Sequence, residues 1–298
     1  MSNILASGLV NSKNANKDYL GFYKEEKEPE YYYGQIGLTC STTIFHEYAN
    51  LIKEYSCDTI NLVDGNDDNF RFLYNKIPVK DKICSISIVD QSSNCIDKEW
   101  DLSDLSNFEN LKSLSIYSLN YLKKIDLSTL AIKLERLIFQ YKERNFELNV
   151  LNNLKVLKLF DLNEKDCSCF STLNSLNRIA IINSTIKSLE GLGKIPNLNM
   201  LYIDKTRGLS DFSSILKMDS IEHLWFGTGI KNVDWDFLKT MPQLKSLHVD
   251  KAKDISFIKD LPNLEFFTAS KIEDKNINPI TEHKGIRKGV GKPFPFII

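Results

Sequence analysis

Four residues carry the side chains best suited to chemistry in this sequence: His223, His248, Asp204 and Asp250. Imidazole and carboxylate groups at close quarters can hold a metal ion or act as an acid–base pair. Nothing around them completes such a site. The sequence has no H-E-x-x-H run, no glycine loop of the kind that cradles phosphate and no nucleophile elbow. Cys40, Cys57, Cys84, Cys95, Cys167 and Cys169 lack C-x-x-C spacing. In a reducing compartment such residues are small buried apolar groups. Asp64-Gly65-Asn66-Asp67-Asp68 lacks alternating ligands and a closing Glu, so it reads as a turn and not a calcium loop. Lys284, Arg287, Lys288 and Lys292 form a basic run without aromatic interleaving, which points to a solvated cap and not to nucleic acid. No enzyme, metal or cofactor is expected. An enzyme working through His223 and His248 is a competing reading.

The elements that hold these residues follow from a unit that recurs along the chain. With apolar residues at relative positions 1, 4 and 6, it reads Leu111, Leu114, Ile116; Leu134, Leu137, Phe139; Leu154, Leu157, Leu159. It continues as Leu176, Ile179, Ile181; Leu198, Leu201, Ile203; Ile221, Leu224, Phe226; Leu244, Leu247, Val249; and Leu264, Phe267, Ala269. Successive starts lie 23, 20, 22, 22, 23, 23 and 20 residues apart. Such a period with an L-x-x-L-x-L core marks one short strand per turn of a solenoid. Two weaker copies precede it, at Cys57, Ile60, Leu62 and at Ile83, Ile86, Ile88. No turn can bury its apolar side alone, so stacking makes the core.

Large apolar residues also stand three and six places before the unit's first position in seven of eight turns, as in Met218 with Ile215 and Met241 with Leu238. Pro196, Pro242 and Pro262 stand two places before a strand, where a fixed φ suits the turn into extended chain. The segments between are short, such as residues 211–217 and 236–240, and fit one or two helical or 3₁₀ turns. The fold class expected is α/β: a curved solenoid with a parallel concave sheet and short helical or 3₁₀ convex segments. On these residues the chain resembles the leucine-rich repeat family, in particular its short, internalin-like bacterial class. The resemblance implies an Asn at relative position 9 that bonds backbone groups in a ladder. This chain instead has Leu119, Lys142, Leu162, Ser184, Thr206, Gly229, Ala252 and Ile272 there, so irregular turns after the strands are expected.

Residues 1–56 read as an amino-terminal segment closed by an amphipathic helix over 42–55, residues 57–270 as the repeats, and residues 271–298 as a carboxyl-terminal cap. Pro293-Phe294-Pro295-Phe296-Ile297-Ile298 is expected to fold back over the last repeat. With 38 basic and 39 acidic side chains the net charge is -1. That gives no global attraction to nucleic acid or anionic lipid. No apolar run approaches the ~20 residues that span a bilayer, and residues 1–17 hold no continuous apolar stretch of the kind a secretory signal needs. A cytoplasmic location is expected, with neither nucleic acid nor membrane as partner.

Strand side chains alternate, so positions 3, 5 and 7 leave the core. Position 5 reads Ser115, Ile138, Lys158, Ala180, Tyr202, Trp225, His248, Thr268, with neighbours about 4.8 Å apart from strand to strand. Position 7 includes Phe160, Ile182, Asp204 and Asp250, and position 3 includes Met200 and His223. Aromatic and Met side chains with charge around them have the composition of an interface. Phe160, Ile182, Tyr202, Trp225 and His248 are expected to carry the binding, with Met200, His223, Asp204 and Asp250 around them. The competing structural reading is that loops or the tail cover this patch. The function expected is a non-enzymatic protein–protein recognition scaffold. Its Asn, Lys and Ile usage is that of an AT-rich bacterial genome, and the narrower expectation is an immunity-type inhibitor of a bacterial toxin. A secreted or injected bacterial effector is the alternative.

Overall fold

The computed structural model describes residues 20–24, 36–41, 45–63, 77–90, 103–118, 127–131, 133–141, 148–231 and 233–287. The loop at 64–68 and the tail at 293–298 lie outside them. The chain divides into two compact units, residues 1–154 and 155–298.

In the first unit, β1 (Leu20–Lys24) pairs antiparallel with β2 (Ile36–Ser41), and α1 (Phe45–Glu54) then leads to β3 (Thr59–Val63). β4 (Ser85–Asp90), β5 (Ser113–Ser118) and β6 (Arg136–Gln140) follow. From β2 to β6 each strand pairs in parallel with the next. The weak copies are strands as expected: Cys57, Ile60, Leu62, Ile83, Ile86 and Ile88 are all fully buried. α1 agrees with the amphipathic pattern and buries Ile52 completely. Two strands precede it, however. Because β2 and β3 are parallel, α1 is the crossover between them and not the start of the stack.

The second unit contains β7 (Val156–Phe160), β8 (Arg178–Ile182), β9 (Met200–Asp204), β10 (His223–Phe226), β11 (Ser246–Ala252) and β12 (Phe266–Ile272). Each is parallel to the next, and position 4 always faces position 4: Leu157↔Ile179, Ile179↔Leu201, Leu201↔Leu224, Leu224↔Leu247 and Leu247↔Phe267. This common register makes one side of the sheet a continuous apolar layer. Ile179, Ile181, Leu201, Ile203, Leu224, Phe226, Leu247 and Val249 are all fully buried there, each contributing about 1.5–3 kcal/mol of burial. The returning segments are 3₁₀ turns, including Ser213–Lys217, Trp235–Thr240 and Ser256–Asp260. They bury Ile215, Leu238 and Ile258 against the back of that layer. Helices this short gain their stability from the packed side chain and not from propagation.

The turns around the strands have their own chemistry. Asp161, Asn183 and Lys205, each just past its strand, adopt left-handed φ of 59°, 56° and 53°. Three successive turns are thus alike, where irregular ones were expected. Ahead of the 3₁₀ segments, carboxylates of Asp166, Asp211, Asp234 and Asp254 accept the amide two residues on, at 2.9, 2.9, 3.0 and 3.0 Å. An amide that opens a helical turn has no partner within it, and a short acceptor side chain supplies one.

The repeat register also continues past β12. The position-2 amide of each turn donates to the position-2 carbonyl of the turn before, as Glu222 to Asn199, Lys245 to Glu222 and Glu265 to Lys245. Arg287 donates to the Glu265 carbonyl in the same way at 3.0 Å, after α2 (Asn278–Glu282) has taken the place of a 3₁₀ segment. Ile286 is buried beside it. The pattern therefore does not end at Ser270.

Candidate functional site

The outer face of the second unit carries a row of rings in register. Trp225 lies opposite Tyr202 on one side and His248 on the other, and His248 lies opposite Thr268. The parallel spacing lets flat rings stack. Tyr202 and Trp225 have ring centroids 5.4 Å apart at 15°, and Trp225 and His248 have centroids 3.7 Å apart at 15°. Trp225 is covered on both faces, so its edge is what the sheet presents. Each stacked pair contributes about 0.5–1.5 kcal/mol beyond its burial. His248 Nδ1 ends the row 2.7 Å from Thr268 Oγ1. Burial pushes the His248 imidazole below its ordinary value, against the opposing fields of Asp250 and Asp204. Burial likewise raises the Tyr202 phenol, and Asp204 adds to it.

Position 7 lies beside this row. The Asp204 carboxylate turns along the strand end, where Oδ1 accepts the Thr228 amide at 2.8 Å and the Thr228 hydroxyl at 3.0 Å. It can do so because residue 227 is glycine. A Cβ there would lie 2.4 Å from Asp204 Oδ1 and 3.1 Å from Trp225 Nε1. Phe160 carries the Lys158 ammonium 5.5 Å above its ring. Phe160, Ile182, Tyr202, Asp204, Trp225 and Asp250 are all partly exposed.

Position 3 differs. Met200 lies between Arg178 and His223 in register and is fully buried, so it contributes packing and no contact surface. Val156, Ala180 and Ser246 on the same face are almost fully covered, and His248 itself is only 8% exposed. The face is thus less open than strand alternation alone implies. His223 is partly exposed with Nε2 3.9 Å from Glu222, and burial lowers its imidazole against the field of that carboxylate. Glu222 is held by Lys245 at 2.7 Å and by Asn199 at 3.1 Å. The two histidines therefore have separate surroundings. Among the described residues no group of three His, Cys, Asp or Glu side chains is placed to hold a metal ion. Thr268, Gly227 and Thr228 belong to the site although the sequence did not single them out. Thr268 stood in the position-5 row, but its bond to an imidazole has no sequence signal.

The fold has solved counterparts. An internalin from Listeria monocytogenes matches 83% of this chain and 71% of its own length at 19% identity, with a TM-score of 0.55. Internalin C2 from the same organism matches 66% of this chain and 83% of its own at 19% identity, with a TM-score of 0.48. No family model and no curated protein matches the chain. The fold is the leucine-rich-repeat fold of the internalin type. Among the described residues no helix is long and apolar enough to cross a membrane.

Proposed function

We propose that the chain is a non-enzymatic recognition scaffold that holds another protein on the outer sheet face of its second unit. The Tyr202–Trp225–His248 stack carries this reading. Three rings fixed by backbone register and by each other lose little freedom when a partner docks, and ordering side chains is a main cost of association. Phe160 and Ile182 extend the apolar contact on one side, while Asp204 and Asp250 offer charge to a basic partner residue. Met200 packs on the same face between Arg178 and His223, and His223 stands at the edge of the row. In this reading the recognition repeats are those of the second unit, which continue to the turn at Arg287.

A narrower version is a cytoplasmic immunity-type inhibitor that masks a toxin of the same bacterium, supported by composition. Affinity capture on the purified chain, with identification of what it retains, tests both. A specific protein retained by the native chain and lost by Trp225→Ala supports the scaffold reading. A retained protein that is toxic alone and harmless when co-expressed with this chain supports the narrower one. Retention unchanged by Trp225→Ala refutes the assignment of the face.

A further inference from the structure

At the carboxyl ends of β10, β11 and β12 the turns are unequal and do not cover one another. Eight residues, 227–234, join β10 to its 3₁₀ segment, whereas three, 253–255, join the longer β11 to its own. The mismatch leaves a cavity of about 630 Å³ between the two turns, with Glu273 beyond β12 in its wall. A second hollow of about 320 Å³ lies toward the preceding turn and shares Lys231, Val233 and Asp234 with the first. The two make one groove across three turns of the stack, within the roughly 300–1,000 Å³ of ligand sites.

The floor of the groove is fixed and apolar. Trp235 is stacked on Phe226 at 5.0 Å, is 4% exposed and donates its indole N–H to the Lys251 carbonyl at 2.9 Å. Ile230, Ala252 and Phe257 are buried around it. In the second hollow Phe237 stacks on Phe212 at 5.8 Å, and Leu216 lies half exposed beside them.

The rim is charged, and its charges are not equally committed. Asp234 accepts the Asp236 amide at 3.0 Å, and Asp236 pairs with Lys239 at 2.8 Å. Asp254 accepts the Ser256 amide and hydroxyl at 3.0 and 2.6 Å. Of the lining carboxylates only Glu273 lacks such a partner among the described residues. Lys231, Lys251 and Lys253 are exposed and form no ion pair among the described residues. The charge left available is therefore positive, around an apolar floor. Single-stranded nucleic acid is anionic but needs open ring faces on which to stack its bases, and Trp235 offers none. Carboxylates beside a large apolar side chain match the groove in both respects.

We propose that this groove docks an acidic, apolar peptide segment of a partner protein. A large apolar side chain enters the cavity against Trp235, and flanking carboxylates meet Lys231, Lys251 and Lys253. The groove shares no lining residue with the Tyr202–Trp225–His248 face and stands whether or not that face binds.

Fluorescence anisotropy on the full chain tests it, with a fluorescein-labelled nonapeptide in which Glu alternates with Leu and Phe. Two control peptides carry Lys for Glu, or Ser for Leu and Phe. The acidic, apolar peptide should bind at least about tenfold more tightly than either control. Lys231→Glu, Lys251→Glu and Lys253→Glu together should weaken it about tenfold or more, since three modest surface pairs are lost and reversed. Trp225→Ala should leave it within about twofold, which separates the groove from the sheet face. Equal affinity of the triple variant overturns the proposal, as does equal affinity for all three peptides. So does tighter binding of a labelled oligothymidylate of like length, or no binding up to about 1 mM peptide. Should the triple variant not fold, carbodiimide cross-linking of the peptide to the native chain decides. Links to Lys231, Lys251 or Lys253 support the groove, and links confined to other lysines overturn it.

Discussion

Trp225 and Phe226 are neighbours on β10 whose side chains leave the sheet on opposite faces, so replacing each by alanine separates surface from core. Phe226 is fully buried, edge-on to Phe212 at 5.5 Å and stacked on Trp235 at 5.0 Å. Truncating such a ring costs about 3–5 kcal/mol. At about 2–4 °C per kcal/mol for chains of about 150–250 residues, Phe226→Ala should lower Tm by about 6–20 °C. Trp225 is partly exposed and loses two stacking contacts, for about 1–3 kcal/mol. Its Tm loss should be smaller than that of Phe226→Ala. Binding should rank the other way. Trp225→Ala should weaken a captured partner by at least about 2 kcal/mol, or about 30-fold. Phe226→Ala, assayed well below its own Tm, should stay within about threefold. Thermal melts and titration calorimetry on the two variants supply both readings. Equal Tm losses would place Trp225 in the core, and an unchanged affinity for Trp225→Ala would remove the stack from the interface.

Gly227→Ala should push the Asp204 carboxylate off Thr228 and cost about 1–3 kcal/mol. Asp204→Ala should cost a similar amount, and the double variant no more than the larger single loss, since both changes remove the same hydrogen bonds from Thr228 to Asp204. On acidification two losses should appear in the Tm. His223 and His248 have imidazoles lowered by burial, so the unfolded chain takes up protons first and stability falls as pH drops below the ordinary histidine value of about 6.5. Asp166, Asp211 and Asp254 are held below the usual carboxylate value, the first two chiefly by backbone amides and Asp254 chiefly by the Ser256 hydroxyl. Their contribution is complete above about pH 4 and is lost as pH falls through their lower folded values. Replacing both histidines by Asn should remove the first step alone. Burial raises the Cys57 and Cys84 thiols to about 11, and raises buried Cys167 as well. Alkylation of the native chain near pH 8, mapped by peptide mass, should therefore modify exposed Cys169 well before these three.

The repeat was legible because each strand states its own burial. A large apolar residue at positions 1, 4 and 6 needs no knowledge of the neighbouring turn, and in the second unit all of these positions but Ala269 are buried. The same holds for α1, whose apolar side is a local period. β1 and β2 carry no such repeat, and the antiparallel pairing of β1 depends on a strand elsewhere in the chain. The carboxylates ahead of the 3₁₀ turns had a signal, an Asp two residues before the segment's first or second residue, but its meaning depends on a turn being there.

Alternation along a strand determines the side from which a residue leaves, and so it placed Tyr202, Trp225 and His248 in one row. How far each then reaches solvent is decided by neighbours distant in sequence. Met200 left the core side as expected, yet between Arg178 and His223 it is covered. Trp225 became the middle of a stack because the register on both sides happens to present rings. His283 shows the same division. Its residue type is plain in the chain, but only the folded turn brings one carbonyl and two amides to its two nitrogens. Periodic burial is a property of the strand, whereas contact geometry is a property of the packing between strands.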